Sequence, residues 1–144
     1  MPPFHFYKPI EIRYGDLDPQ GHVNNAKYLT YLEQARIAYV GHLGLWDGAS
    51  FLDIGFILAD ARITFLQPLH FGQRVQVGVR SARLGKKSLT MEYTIEDSQD
   101  RQEYATASTV VVTYDYHSRQ TISIPENWRQ RIVEFENLSS PEQP

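Results

Sequence analysis

Apolar and polar positions change period twice along this chain. Residues 8–14 alternate, with Ile10, Ile12 and Tyr14 on one side and Glu11 and Arg13 on the other. That is the two-residue period of a half-buried strand. From Tyr28 the period lengthens. Tyr28, Leu32, Ala35, Tyr39 and Leu43 recur at three- and four-residue spacing, one face of an amphipathic helix. Leu29, Ala38 and Val40 widen the face, so this helix needs cover over most of its circumference. Asn24 or Asn25 supplies its N-cap, and it runs to about His42, before Gly44. Residues 44–54 read as a loop with a short turn of helix.

The two-residue period then returns and holds to residue 116. Residues 56–66 set Ala61, Ile63 and Phe65 against Arg62 and Thr64. Residues 74–83 set Val75, Val77 and Val79 against Gln76, Gly78 and Arg80, and residues 88–96 set Leu89, Met91, Tyr93 and Ile95 against Thr90, Glu92, Thr94 and Glu96. Residues 103–116 form a long β-branched strand with Val110, Val112 and Tyr114 on one face. Short polar turns between such runs make antiparallel neighbours. Pro125 stands where a second, short helix starts, with Trp128, Ile132 and Phe135 on its apolar face.

One broad apolar helix and one antiparallel sheet have only each other to bury against. The predicted class is therefore α+β: a curved antiparallel sheet wrapped around one long helix, closed by a short C-terminal helix. It forms a single domain over residues 1–144, with 1–7 as a loose arm and 137–144 as a loose tail. The outer sheet face and the edge strands are left without partners, which predicts a homodimer or homotetramer.

Composition narrows the function classes. The 144 residues are 42% hydrophobic and 22% charged, ordinary values for a globular domain with a real core. The net charge of −3 advertises no basic face for nucleic acid. No cysteine is present, so disulfides, thiolate catalysis and Cys-ligated metal are excluded. No apolar run approaches the roughly 20 residues that span a bilayer, and no basic-then-apolar leader pattern opens the chain. The expectation is a cytoplasmic protein with no stable membrane association.

Candidate chemistry concentrates in the turn between the first strand and the long helix. Asp16, Asp18, His22, Asn24 and Asn25 crowd into ten positions, with Pro19 and Gly21 marking a turn. Polar groups just before a helix start can use its free backbone N–H groups and positive dipole end. Such a place binds or polarises something negative, or a carbonyl becoming negative. Asp16 reads as a turn-holding hydrogen-bonder and Asn24 as a helix cap. Asp before Pro is also a common turn former, so Asp18 by itself reads either way. Asp16, Asp18 and His22 match no metal-ligand spacing, and no Gly-x-Ser-x-Gly nucleophile motif occurs. Glu33 and Arg36, three apart on the helix, are placed to pair.

The run Arg13-Tyr14-x-Asp16-x-Asp18-x-x-Gly21-His22-Val23-Asn24-Asn25, followed by Tyr28-x-x-Tyr31-x-Glu33-x-Ala35-Arg36, resembles the hotdog-fold acyl-CoA thioesterases of the 4-hydroxybenzoyl-CoA thioesterase type. Phe65-Leu66-x-Pro68-Leu69-x-Phe71-Gly72 is similar to a second patch of that family. There an Asp commonly follows the glycine, where this chain has Gln73. The resemblance covers residues 8 to 134 and implies an acyl-CoA substrate, no cofactor, and paired protomers with active sites at their interface. It assigns the catalytic carboxylate to Asp18 and the carbonyl-polarising amide to the backbone N–H of Asn25. It maps the family's CoA-phosphate contacts onto Lys86 and Lys87, which by themselves read as a solvated turn. His22 reads either as a catalytic residue that orients water, contacts the thioester or bonds Asp18, or as a structural histidine, and Tyr28 as core or substrate-pocket wall. Hotdog enoyl-CoA hydratases use an Asp and a His around an Asn-Pro. Here Asp18 replaces that Asn, and His22 lies one position too far from Asp16. A binding-only hotdog protein is the other alternative.

Overall fold

The computed structural model describes residues 4–138. Its long helix, α1, spans Asn25–His42 with Asn24 as N-cap, its side chain accepting the Ala26 N–H at 2.9 Å. The face predicted from spacing is the buried one: Tyr28, Leu32, Ala35, Tyr39 and Leu43 all lie in the core. Leu29 does not join them and is exposed.

Five strands form one antiparallel sheet. They are β1 (Tyr7–Ile10), β2 (Phe56–Phe65), β3 (Val75–Leu84), β4 (Ser88–Asp97) and β5 (Glu103–Asp115), in the spatial order β1-β3-β4-β5-β2. A two-residue strand, β6 (Gln120–Thr121), pairs with the end of β5 and was not foreseen. The short helix α2 covers Glu126–Glu136; Pro125 is its N-cap rather than its first helical residue. It ends at Asn137, whose φ of 55° is a left-handed stop. The curved sheet packs on α1 around one hydrophobic core, the expected hotdog architecture.

The central strands follow their sequence pattern. Val75, Val77 and Val79 of β3 and Leu89, Met91, Tyr93 and Ile95 of β4 all face inward. A bulge between Ser81 and Arg83 then shifts β3 by one residue, and Leu84 instead of Arg83 turns to the core. On β5 the apolar face of Val110, Val112 and Tyr114 is the outer, half-buried one. The inner face is Thr109, Val111 and Thr113. Its hydroxyls are satisfied: Thr109 Oγ1 lies 2.7 Å from the Tyr93 phenol, and Thr113 Oγ1 donates to the carbonyls of Ile122 and Lys87.

Both ends of the predicted first strand are corrected. It stops at Ile10, and Tyr14–Asp16 form a 3₁₀ turn that leaves Tyr14 81% exposed. The cause is Asp16, whose Oδ2 accepts the Arg13 N–H at 3.0 Å while its own N–H returns to the Arg13 carbonyl at 2.9 Å. The described part of the arm, residues 4–7, is not loose. Tyr7 belongs to β1, and Phe4 and Tyr7 cover Gly78, where a Cβ would meet both rings and Thr94 at 3.0 Å. Residues 1–3 and 139–144 of the predicted arm and tail lie outside the described residues.

Strand β2 is an edge and is exposed along most of its length, with Ile57, Leu58 and Phe65 open. Among the described residues, no helix is long and apolar enough to cross a membrane.

Candidate active site

The polar turn before α1 is a small braced loop. Leu17 and Val23 pair as a bridge, the Asp18 N–H donates to the His22 carbonyl at 2.8 Å, and the Gly21 N–H donates to the Asp18 carbonyl at 2.9 Å. Gly21 sits at φ 81°, a conformation only glycine adopts without strain. The loop is anchored on both sides. Asn24 N–H donates to the Asp16 carbonyl at 2.8 Å, and Val23 N–H to the Leu69 carbonyl at 2.8 Å. His22 pairs with His70 in a further bridge, their rings edge-to-face at 4.9 Å.

Asp16 and Asp18 have different surroundings. Asp16 is buried and accepts the Tyr31 phenol at 2.7 Å and the Arg13 N–H. Burial, and then this carboxylate, push the Tyr31 hydroxyl's pKa well above the usual phenol range. Asp16 therefore holds the turn. Asp18 is half-buried, and Oδ1 alone takes both bonds from its own loop, from Gln20 N–H at 2.9 Å and His22 N–H at 3.1 Å. Its Oδ2 has no bond among the described residues.

Asp18, His22, Asn25 and Tyr28 come together with Phe65, Leu66, Gln67 and Pro68 around a concavity of about 240 Å³. Asn25 lines it as the first residue of α1, at the helix's positive end, and no described residue accepts its N–H. Tyr28 is a buried wall, its ring edge-on to Phe65 at 4.9 Å, and burial raises its pKa. A carboxylate and a helix-start amide on residues lining one concavity are the two kinds of group that acyl transfer needs. One supplies or activates a nucleophile, and the other meets the oxygen that gains charge.

Gln67 and His70 carry no signal of their own in the sequence. They arrive because the second family-like patch crosses over the loop and pairs with it through Leu69 and His70. The departure at Gln73 costs nothing in the turn. Its side chain accepts the His70 N–H and donates to the Tyr104 hydroxyl at 2.8 Å.

Lys86 and Lys87 are not part of this concavity. They turn β3 into β4 at the end of the sheet where Phe56 of β2 lies, opposite the Phe65 end beside Asp18. Lys87 Nζ reaches Thr121 Oγ1 at 3.3 Å. At that same end a larger cleft of about 700 Å³ runs between the middle of α1 and β2, walled by Ile37, Phe51, Phe56, Ile57 and Leu58. Arg36 lines it too, and does not pair with Glu33. It is buried and donates from Nη1 to the Tyr93 hydroxyl at 3.0 Å, while Glu33 points to solvent. Among the described residues no group of three or more His, Asp and Glu is arranged to hold a metal ion.

The match to a known family runs over residues 12–132 and is to the thioesterase-like superfamily. The chain belongs to that superfamily. It is thereby a thioester hydrolase of the hotdog fold. A 1,4-dihydroxy-2-naphthoyl-CoA hydrolase of Synechococcus elongatus is 29% identical over 125 residues, 83% of this chain and 90% of that one. The long-chain acyl-CoA thioesterase FadM of Escherichia coli is 25% identical over 135 residues, 88% of this chain and 96% of that one. A solved thioesterase of Thermus thermophilus, complexed with coenzyme A and Zn, is 32% identical and superposes with a TM-score of 0.83 over 96% of this chain and 100% of that one. The relatives act on both aromatic and long-chain acyl groups, so the narrower 4-hydroxybenzoyl-CoA type is not singled out.

Proposed function

We propose that this thioesterase hydrolyses an acyl-CoA to the free acid and CoA at the concavity before α1. Asp18 supplies the carboxylate, which attacks the thioester carbon or activates the water that does. The Asn25 N–H meets the carbonyl oxygen as it becomes an oxyanion, aided by the helix dipole. In this reading nucleophile and oxyanion donor approach one carbonyl from different directions. His22 lines the same space and is placed to contact the thioester, and Tyr28 closes its wall. The observation that supports this reading is that Asp18 and Asn25 line one concavity while the Asp18 Oδ2 and the Asn25 N–H have no partner among the described residues.

The complete site takes a second copy of the chain. Strand β2 is an edge with free backbone groups, and Ile57, Leu58, Phe65 and Leu66 are exposed on or beside it. A two-fold axis through the middle of β2 would lay Phe56–Leu58 of one protomer against Phe65–Leu66 of the other. The small Asp18 concavity of one copy then opens onto the larger α1–β2 cleft of its partner, which takes the acyl group. The same operation carries Lys86 and Lys87 toward the partner's Asp18, where they can meet CoA phosphates.

The test is thiol release from short, medium, long and aromatic acyl-CoAs by wild type and Asp18→Asn. Asn keeps the Oδ1 bonds that shape the loop. Turnover by wild type and a fall of orders of magnitude in the folded variant is the expected result. Equal rates would remove Asp18 from the chemistry. Binding of acyl-CoA without thiol release would favour a binding protein, and loss of an enoyl double bond without thiol release would favour a hydratase.

A further inference from the structure

The turn from β3 into β4 is tied down carbonyl by carbonyl. The Gly85 N–H closes it on the Ser88 carbonyl at 2.7 Å. Arg129 of α2 donates from Nη2 to the Gly85 carbonyl at 2.8 Å. The Ile124 N–H, just before α2, donates to the Lys86 carbonyl at 2.9 Å. The Thr113 N–H and hydroxyl donate to the Lys87 carbonyl at 2.8 and 3.1 Å. A turn that only presents two lysines to solvent has no need of such ties, because water satisfies exposed carbonyls. Lys86 and Lys87 are exposed, while Arg129 is half-buried and its Nη1 is covered with no partner. None of the three pairs with a carboxylate among the described residues. Three unpaired cations therefore share one turn, in a chain whose net charge is −3. They repel one another, and a polyanion seated on the turn relieves that repulsion.

We propose that Arg129 is a positioning residue for the phosphates of the CoA thioester, acting through the Lys86–Lys87 turn. This rests on the reading that these two lysines meet CoA phosphates. Lysine is a point charge on a flexible stem, so binding through it costs the ordering of its side chain and of the backbone beneath it. The bonds from Arg129 and Ile124 carry out the backbone part of that ordering in advance. The guanidinium also sets a permanent positive charge at the carbonyl next to Lys86, one that does not titrate. Because its Nη1 is covered, Arg129 serves the phosphates by holding the turn and by its charge, not by touching them. The C-terminal segment thereby sets affinity for the nucleotide end of the substrate.

The experiment takes the acyl group that wild type cleaves fastest and measures kcat and KM for it on CoA and on pantetheine, which lacks the nucleotide and every phosphate. The full chain is used as wild type, Arg129→Met, Arg129→Lys and the double variant Lys86→Ala/Lys87→Ala. Wild type is expected to prefer the CoA thioester. Arg129→Met should lower the CoA-to-pantetheine ratio of kcat/KM by about 3- to 10-fold, the weight of one hydrogen bond, and should do so through KM. Arg129→Lys keeps the charge and a donor for Gly85 and should recover part of the loss. A merely structural role would weaken both substrates alike. An unchanged ratio in folded Arg129→Met, beside a lowered one in the double variant, overturns the role of Arg129 alone. A wild-type ratio in the double variant removes the lysines from phosphate binding, and this proposal with them. If no thioester is hydrolysed, the catalytic reading fails by itself, and calorimetric binding of CoA against pantetheine to the same variants decides by the same ratio. If Arg129→Met does not fold, NMR on the wild type decides. CoA should move the Gly85, Lys86 and Lys87 amides and the Arg129 Nε–H where pantetheine does not, and resonances that stay in place overturn the proposal.

Discussion

The phenol of Tyr31 donates a 2.7 Å hydrogen bond to Oδ2 of Asp16, tying the second turn of α1 to the loop that carries Asp18. The same oxygen takes the Arg13 N–H, so one carboxylate fixes the loop's entry, its 3₁₀ turn and the helix behind it. Tyr31→Phe removes one of these bonds and leaves a buried acceptor short of a partner. The expected loss is about 1–3 kcal/mol of stability by denaturant titration. A fall in kcat with Asp18 itself intact is expected beside it, because the loop is no longer held in place.

The Asn25 amide can be deleted without touching the side chains around it. Asn25 is the first helical residue, where proline is well tolerated, and Asn24 before it is extended at φ −62° and ψ 136°, as a residue preceding proline must be. Asn25→Pro therefore removes the proposed oxyanion donor while keeping the helix start. The expected outcome is a drop in kcat of about 100- to 1000-fold, the usual effect of losing one such donor. The melting temperature should stay near wild type. A full-rate, folded variant would place the oxyanion elsewhere.

The fold was legible where one chain decides its own burial. The valines of β3 and the alternation of β4 face the core as their period says, and the helix face from Tyr28 to Leu43 does too. The pattern misled on β2, where Ala61 and Phe65 alternate like core residues yet are exposed. Period reports which face is apolar, and not what covers it. It also missed contacts made at long range. Arg36 was paired with its helical neighbour Glu33, but its partner is Tyr93, 57 positions away. Asp18, His22, Asn25 and Tyr28 were within reach because they lie on one contiguous stretch beside a helix start. Gln67 and His70 were not, because a bridge between distant segments brings them there.

A pH-dependent tether joins two residues that are chain neighbours of the large cleft's lining, His117 beside Tyr116 and Asp53 beside Ile54. His117 Nε2 lies 2.8 Å from Asp53 Oδ1, joining the turn after β5 to the 3₁₀ turn that carries Phe51. The hydrogen bond to Asp53, and then its charge, raise the His117 pKa above the ordinary histidine value. A raised folded-state pKa means the tether is fully present below the unfolded value of about 6.5 and is lost as pH rises through the folded pKa. NMR titration of His117 should show the raised value in wild type and a return toward the ordinary value in Asp53→Asn. The Phe51 resonances should follow the same titration.

Gly78 is fixed by what lies over it. A Cβ there would stand 3.0 Å from the rings of Phe4 and Tyr7 and from the Thr94 methyl, so Gly78→Ala must push these side chains aside by a few tenths of an ångström and loosen the N-terminal arm's hold on the sheet. The expected cost is about 1–3 kcal/mol, the usual range for overpacking, read as a shift in denaturation midpoint. Limited proteolysis should cut the arm near Tyr7 sooner in the variant than in wild type.

The pairing of β2 edges ties oligomeric state to activity. Ile57 is exposed in the single chain, on the edge strand and in the wall of the cleft proposed to receive the acyl group. Light scattering on the wild type should give at least twice the 16.6 kDa chain mass. Ile57→Glu sets a charge beside its symmetry mate's end of the strand and should shift the protein toward the single-chain mass. Its circular dichroism should remain native, because Ile57 contributes little to the core of its own chain. If the site is shared between copies, thiol release should fall with the dimer fraction and recover on raising protein concentration. A monomeric variant with full activity would show instead that one chain carries the whole site, and the acyl group would then have to lie along its own α1–β2 seam.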